Sequence, residues 1–215
     1  MRGISAALAA GGAVEGRVLG GAHAIDQPGI CVDAIPVTGS GVELPGVTGV
    51  GGRYRIGSLA PGSYRVYFGD PACPGGVTGL APQWYPGQYT EAKAAIITVA
   101  AGQTRSGIAA HLLPDGSITG TVTGPAPSAS PLTGVCVLAV PLAAGQFPIY
   151  AATTHGGYSV TGLAPGRYLV EFSAGCGASG YRTQWWDNAG SRAAATVITV
   201  AADRVTTGID AAMRP

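Results

Sequence analysis

Gly157-Tyr-Ser-Val-Thr-Gly-Leu-Ala-Pro-Gly-Arg-Tyr-Leu-Val-Glu-Phe172 has a counterpart earlier in the chain, Gly52-Arg-Tyr-Arg-Ile-Gly-Ser-Leu-Ala-Pro-Gly-Ser-Tyr-Arg-Val-Tyr-Phe68. In both, a Tyr is followed two residues later by Ile or Val, then by Leu-Ala-Pro-Gly, then by Tyr-x-Val-x-Phe. Apolar residues thus alternate at the strand period on either side of a Pro-Gly turn, the pattern of a β-hairpin-like unit. Tyr64 and Tyr168 lie 104 positions apart, so the repeated unit is the size of a domain rather than a solenoid turn. Side chains alternate across a strand, which puts Tyr64, Val66 and Phe68 on one face and Tyr168, Val170 and Phe172 on its equivalent. These six are the expected core, with Arg53, Arg65, Ser159 and Glu171 on the opposite, solvent side.

Working outward, the match extends along both copies. Gly12-Ala-Val-Glu-Gly-Arg-Val-Leu19 parallels Gly116-Ser-Ile-Thr-Gly-Thr-Val-Thr123, and the segments 29–36 and 134–141 each carry a Cys within a β-branched run closed by Pro. The least similar parts are 37–51 and 142–156, as expected of a surface loop or edge strand. After the hairpin come Gln83-Trp-Tyr85 and Gln184-Trp-Trp186, then Ile97-Thr-Val99 and Ile198-Thr-Val200. Ser106-Gly-Ile108 and Thr207-Gly-Ile209 read as last strands. Seven or eight short strands per copy, turns at near-regular intervals and no amphipathic helical window predict an all-β chain of two tandem antiparallel β-sandwich domains, 12–113 and 115–215. Only Leu113-Pro-Asp115 stands between them, so the two are expected to be closely coupled.

Composition narrows the function. Hydrophobic residues make up 47% of the 215 residues and charged residues only 11%, against about 25% in a typical domain. The 36 Gly and 16 Pro fall between alternating apolar runs, where turns need them. A formal charge of +1 provides no basic patch for counterion release, which excludes nucleic acid as an expected partner. No apolar run approaches the roughly 20 residues of a membrane helix. The stretch Met1-Arg-Gly-Ile-Ser-Ala-Ala-Leu-Ala-Ala10 has an apolar part too short and weak for a full signal peptide. The expectation is an export signal that is missing or truncated.

The cysteines point to compartment. Cys31 and Cys136 occupy matching places in Gly-Ile-Cys-Val-Asp-Ala and Gly-Val-Cys-Val-Leu-Ala, and Cys73 and Cys176 both follow the Tyr-x-Val-x-Phe strand. The expected disulfides are Cys31 to Cys73 and Cys136 to Cys176, and hence an oxidising compartment. The alternative is two pairs of buried thiols. Metal ligation has neither a Cys-x-x-Cys spacing nor a nearby His to support it.

Candidate chemistry is sparse. His23, His111 and His155 do not correspond between copies and none stands in a metal spacing. The 11 carboxylates are scattered, no Gly-x-Ser-x-Gly elbow occurs, and neither a phosphate loop nor a dinucleotide fingerprint is present. No catalytic residue, metal or cofactor is expected. The best ligand candidates are Gln83, Tyr85, Gln184 and Trp186. If Trp84 and Trp185 point into the core, their neighbours point out, and a ring beside an amide suits a sugar face and its hydroxyls. The competing reading packs both rings of each motif.

The opening Gly-x-(Val/Ile)-x-Gly-x-Val, the Tyr-centred hairpin and the Ile-Thr-Val strand resemble the carboxypeptidase regulatory-like domain. That family belongs to the transthyretin-like (prealbumin-like, Ig-like), carbohydrate-binding-like group of sandwiches, related to collagen-adhesin B-type and SpaA-type surface repeats. The resemblance covers nearly the whole chain, twice, and is specific for fold rather than function. Some repeats of the related group carry an internal Lys to Asn or Asp isopeptide bond. Here Lys93 is the only Lys and Asn188 the only Asn, in different copies, so this chain departs from that pattern. The first expectation is a non-catalytic structural or adhesive module pair of a secreted or cell-surface protein, with another surface protein as partner. The alternative is a pair of carbohydrate-binding accessory modules for starch or another polysaccharide, associated with an alpha-amylase-type glycoside hydrolase. A self-contained glycosidase is disfavoured, because the chain is too short for a barrel of about 250 residues beside two sandwiches.

Overall fold

The structure, a computed structural model, describes residues 10–38, 43–69 and 79–215. The first half contains β1 (Gly12–Gly20), β2 (Ile25–Asp26), β3 (Cys31–Pro36), β4 (Leu44–Val47), β5 (Arg53–Leu59), β6 (Gly62–Phe68), β7 (Gln83–Trp84), β8 (Ile97–Val99), β9 (Thr104–Arg105) and β10 (Ala110–Leu112). The second half contains β11 (Gly116–Thr123), β12 (Val135–Pro141), β13 (Ile149–Ala152), β14 (Gly157–Leu163), β15 (Gly166–Ala174), β16 (Gln184–Trp185), β17 (Ile198–Val200), β18 (Val205–Thr206) and β19 (Ala211–Ala212). Three short 3-10 turns are the only helical elements among the described residues.

One sheet of the first half is built on β1, which pairs antiparallel with β5 and β2. The other runs β4-β3-β6-β7, with β8 against β6, all antiparallel. The second half repeats both, with β11 against β14, and β13-β12-β15-β16 with β17. The divergent segments supply the edge strands β4 and β13, as their variability suggested.

The closing strands depart from the expected antiparallel pattern. β9 and β10 run parallel to β1, and β18 and β19 parallel to β11. Nor are Ser106–Ile108 and Thr207–Ile209 strands. The ladder runs just before and just after each of them, because Gly107 and Gly208 take φ of 79° and 77°, a left-handed conformation that interrupts the pleat and that glycine adopts at little cost.

Alternation decides burial. Tyr64, Val66, Phe68, Tyr168, Val170 and Phe172 are all buried, as expected. In the first half they join Val14, Val18, Val32, Ile56 and Leu59 from both sheets, and in the second Ile118, Val122, Val137, Val160 and Leu163. Each such side chain, fully buried, stabilises the fold by about 1.5–3 kcal/mol relative to exposure. Tyr54 meets Phe68 edge to face at 5.9 Å, and Tyr158 meets Phe172 at 6.0 Å. The buried phenols are not wasted. Tyr54 Oη donates to Ile108 O at 2.6 Å and Tyr158 Oη to Ile209 O at 2.5 Å, which pins the interrupted closing segment to the core. Burial pushes both phenols, and that of Tyr168, well above the ordinary tyrosine range.

Cys136 and Cys176 form a disulfide with Cα atoms 5.2 Å apart, closing a separation of 40 residues. Cys31 is disulfide-bonded as well. Its expected partner, Cys73, lies outside the described residues.

Candidate functional site

The two Gln-Trp-aromatic motifs form β7 and β16 and the bend after each. Register fixes which way each residue faces. Gln83 pairs with Phe68 and Trp84 with Tyr67, while Gln184 pairs with Phe172 and Trp185 with Glu171. Because Phe68 and Phe172 are core residues, Gln83 and Gln184 point inward and the first tryptophan of each motif points out. This inverts the orientation expected from the sequence. Gln83 is 3% exposed and Gln184 5%, and their amide groups donate to His111 O at 3.2 Å and Ala212 O at 3.1 Å. They tie β7 and β16 to the chain around the closing strands. Tyr85 and Trp186 are half-buried and pack against the first and second cores. Neither motif sets an exposed ring beside an exposed amide, as a sugar platform would require.

The tryptophan that points out in the first half is nonetheless covered. Trp84 is 2% exposed and packs with Tyr67, ring centroids 4.9 Å apart, and with Ala94. What covers it comes from the second half. Trp84 Nε1 donates to Gly145 O at 2.7 Å, Gln146 Nε2 donates to Tyr89 O at 2.7 Å, and Phe147 meets Tyr67 edge to face at 5.3 Å. Gly145 has φ of 78° and would place a Cβ 2.2 Å from Glu91 Cβ, so glycine is needed at this contact. Backbone bonds from Ala81 N to Leu113 O at 2.7 Å and from Asp115 N to Gly79 O at 3.2 Å hold the connecting segment beside the first half. The second half has no equivalent aromatic pair, because Glu171 stands where Tyr67 does and Trp185 is only half-buried.

Sequence reasoning expected close coupling from the short linker but missed these contacts, since the acceptor loop lies in 142–147, where the copies diverge. The signal that could have found them is the residue paired with each tryptophan. A Glu opposite Trp185 marks the outer face.

The remaining candidates stay apart. His23, His111 and His155 are exposed, and His111 Nε2 meets Gly21 O at 2.7 Å. Lys93 and Asn188 are exposed as well, and Asn188 Nδ2 donates to Asp187.

No family model matches the chain, and no curated protein matches it. Among solved structures it is similar to the TIE protein of Bacillus anthracis at 12% identity, over 95% of this chain and 34% of that one, with a TM-score of 0.36. It is similar to the minor pilin of Streptococcus agalactiae at 12% identity, over 94% of this chain and 96% of that one, with a TM-score of 0.42. It is also similar to BcpA, the major pilin subunit of Bacillus cereus, at 8% identity, over 95% and 99% of the two chains, with a TM-score of 0.31. The chain thus spans 34% of the length of the TIE protein.

Proposed function

We propose that the chain is a non-catalytic structural and adhesive module pair of a secreted or cell-surface protein, built from two sandwich units, 12–113 and 115–215, of the carboxypeptidase regulatory-like kind. The observation that carries this reading is the closed junction, in which Trp84 is buried under the 145–147 loop and hydrogen-bonded to it. A linker this short, backed by an aromatic contact, suits a spacer that keeps its direction under load. The Cys136–Cys176 disulfide supports an oxidising exterior. Another surface protein is the partner class. The polysaccharide-binding alternative loses support, because Gln83 and Gln184 are buried and their amide nitrogens donate to backbone carbonyls.

Two measurements on the full chain test this. Stretched between terminal handles, the second unit should release its length in two stages. The 40-residue separation closed by Cys136 and Cys176 should add roughly 130–140 Å only after a reductant is supplied, at about 3.3–3.6 Å per residue. In parallel, wild type and the Tyr85→Ala plus Trp186→Ala variant are incubated with insoluble starch, cellulose and chitin, and released reducing sugar is assayed. Retention that the double variant loses, or any sugar release, would replace the spacer with a binding or hydrolytic role.

A further inference from the structure

The outer face of β1 and β5 carries charge that its counterpart lacks. Glu15 and Arg17 of β1 lie across from Arg55 and Arg53 of β5. The same positions in β11 and β14 are Thr119, Thr121, Ser159 and Gly157. In a chain with 11% charged residues, this cluster stands out. Its pairing is incomplete. Arg55 Nη1 bonds Glu15 at 2.7 Å, and Arg17 pairs with Asp26 and donates to Gly51 O at 3.1 Å. Hydrogen bonds from Ser106 and Arg55 hold the Glu15 carboxyl below its ordinary range. Arg53 has no ion pair among the described residues and stands directly opposite Arg17. Like charges at opposed strand positions destabilise a sheet; Asp26 offsets Arg17, which leaves the Arg53 guanidinium as the charge an incoming anion would neutralise.

These side chains line an open hollow of about 720 Å³, with Val47 and Gly49 on one rim and Ser106 and Gly107 on the other. Glu15 and Asp26 offset two of the three guanidiniums and leave one positive charge. Tyr54, the aromatic residue of the lining, is only 5% exposed, so there is no ring on which a sugar could stack. Val47 is 54% exposed and offers apolar surface to an aliphatic stem. The mixture of one uncompensated guanidinium, a neighbouring ion pair and an apolar rim matches a peptide better than a uniformly anionic glycan. We propose that this hollow is a docking site for an acidic segment of a protein partner, with a Glu or Asp carboxylate seated between Arg17 and Arg53. Guanidinium forks bind carboxylates bidentately, which lends such a contact direction as well as strength. The site is separate from the junction, and the second copy has no equivalent.

The test is fluorescence anisotropy of the full chain with a labelled peptide of alternating Gly and Glu, against the Gly and Gln peptide, with polygalacturonate as a competing polyanion. Wild type should bind the Glu peptide, more weakly as salt is raised. Arg53→Gln should weaken binding about tenfold, the loss of one charge-assisted contact. Arg53→Lys should fall between the two, and Arg204→Gln, an exposed site in the second half, should bind like wild type. Arg53→Gln should melt no lower than wild type, because a like-charge pair is removed. The proposal is overturned if the Glu peptide does not bind, if the Gln peptide binds equally, if Arg53→Gln retains wild-type affinity, or if polygalacturonate binds while the peptide does not.

Discussion

Four tyrosines give the molecule its alkaline limit. Tyr54, Tyr89, Tyr158 and Tyr168 are held above the ordinary tyrosine range by burial. Three of these phenols, Tyr54, Tyr158 and Tyr168, donate to the carbonyls of Ile108, Ile209 and Ala164. A folded value above the unfolded one means that the stabilisation is complete below the unfolded value of about pH 10 and is lost as pH climbs towards the raised values. Phenolate absorbance should therefore show a phase above the ordinary tyrosine range in which Tyr54, Tyr158 and Tyr168 ionise together with unfolding. A single phase near the ordinary value would show the phenols to be accessible. Tyr158→Phe should cost about 1 kcal/mol, since it leaves Ile209 O short of a donor while keeping the ring contact with Phe172.

At the scale of elements, the disulfide and the hairpin support each other. Cys136 lies in β12 and Cys176 just beyond β15, and these two strands are paired along seven positions from Val135 to Pro141. In the chain-entropy model, a closed loop of this size stabilises by about 4 kcal/mol. A Cys136→Ser plus Cys176→Ser variant should unfold at lower urea by that order. An unaltered midpoint would show that strand pairing alone suffices.

The hairpins were legible in the sequence because their alternation is unbroken and occurs twice. The interrupted closing strands were not, since Ser106-Gly-Ile108 and Thr207-Gly-Ile209 keep an apolar residue at the right spacing while a glycine φ breaks the ladder. Gln83 and Gln184 were misread for a related reason. Two-residue strands carry too little pattern to fix a face, and polarity pointed outward while the pairing partners Phe68 and Phe172 point inward. Thr48 and Thr153 show the same limit: both are buried, and their hydroxyls accept from Ile30 N and Val135 N, a role that composition does not announce.

At the scale of the whole molecule, the junction decides whether the halves melt together. The bond to Gly145 and the Tyr67–Phe147 contact couple two cores that otherwise draw their residues from separate parts of the chain. Interactions of this kind are worth about 1–3 kcal/mol in sum. Phe147→Ala combined with Trp84→Phe should split a shared calorimetric transition into two and increase the spread of end-to-end distances. One transition, unchanged, would mean that the connecting segment carries the coupling unaided.

Trp84 is the first half's single tryptophan, and it lies at this seam rather than in either core. With Trp185 and Trp186 replaced by Phe, the remaining indole emission becomes an optical gauge of the joint itself. Bending between the units could then be followed by colour and quenching, with no added dye and while both sandwiches stay folded.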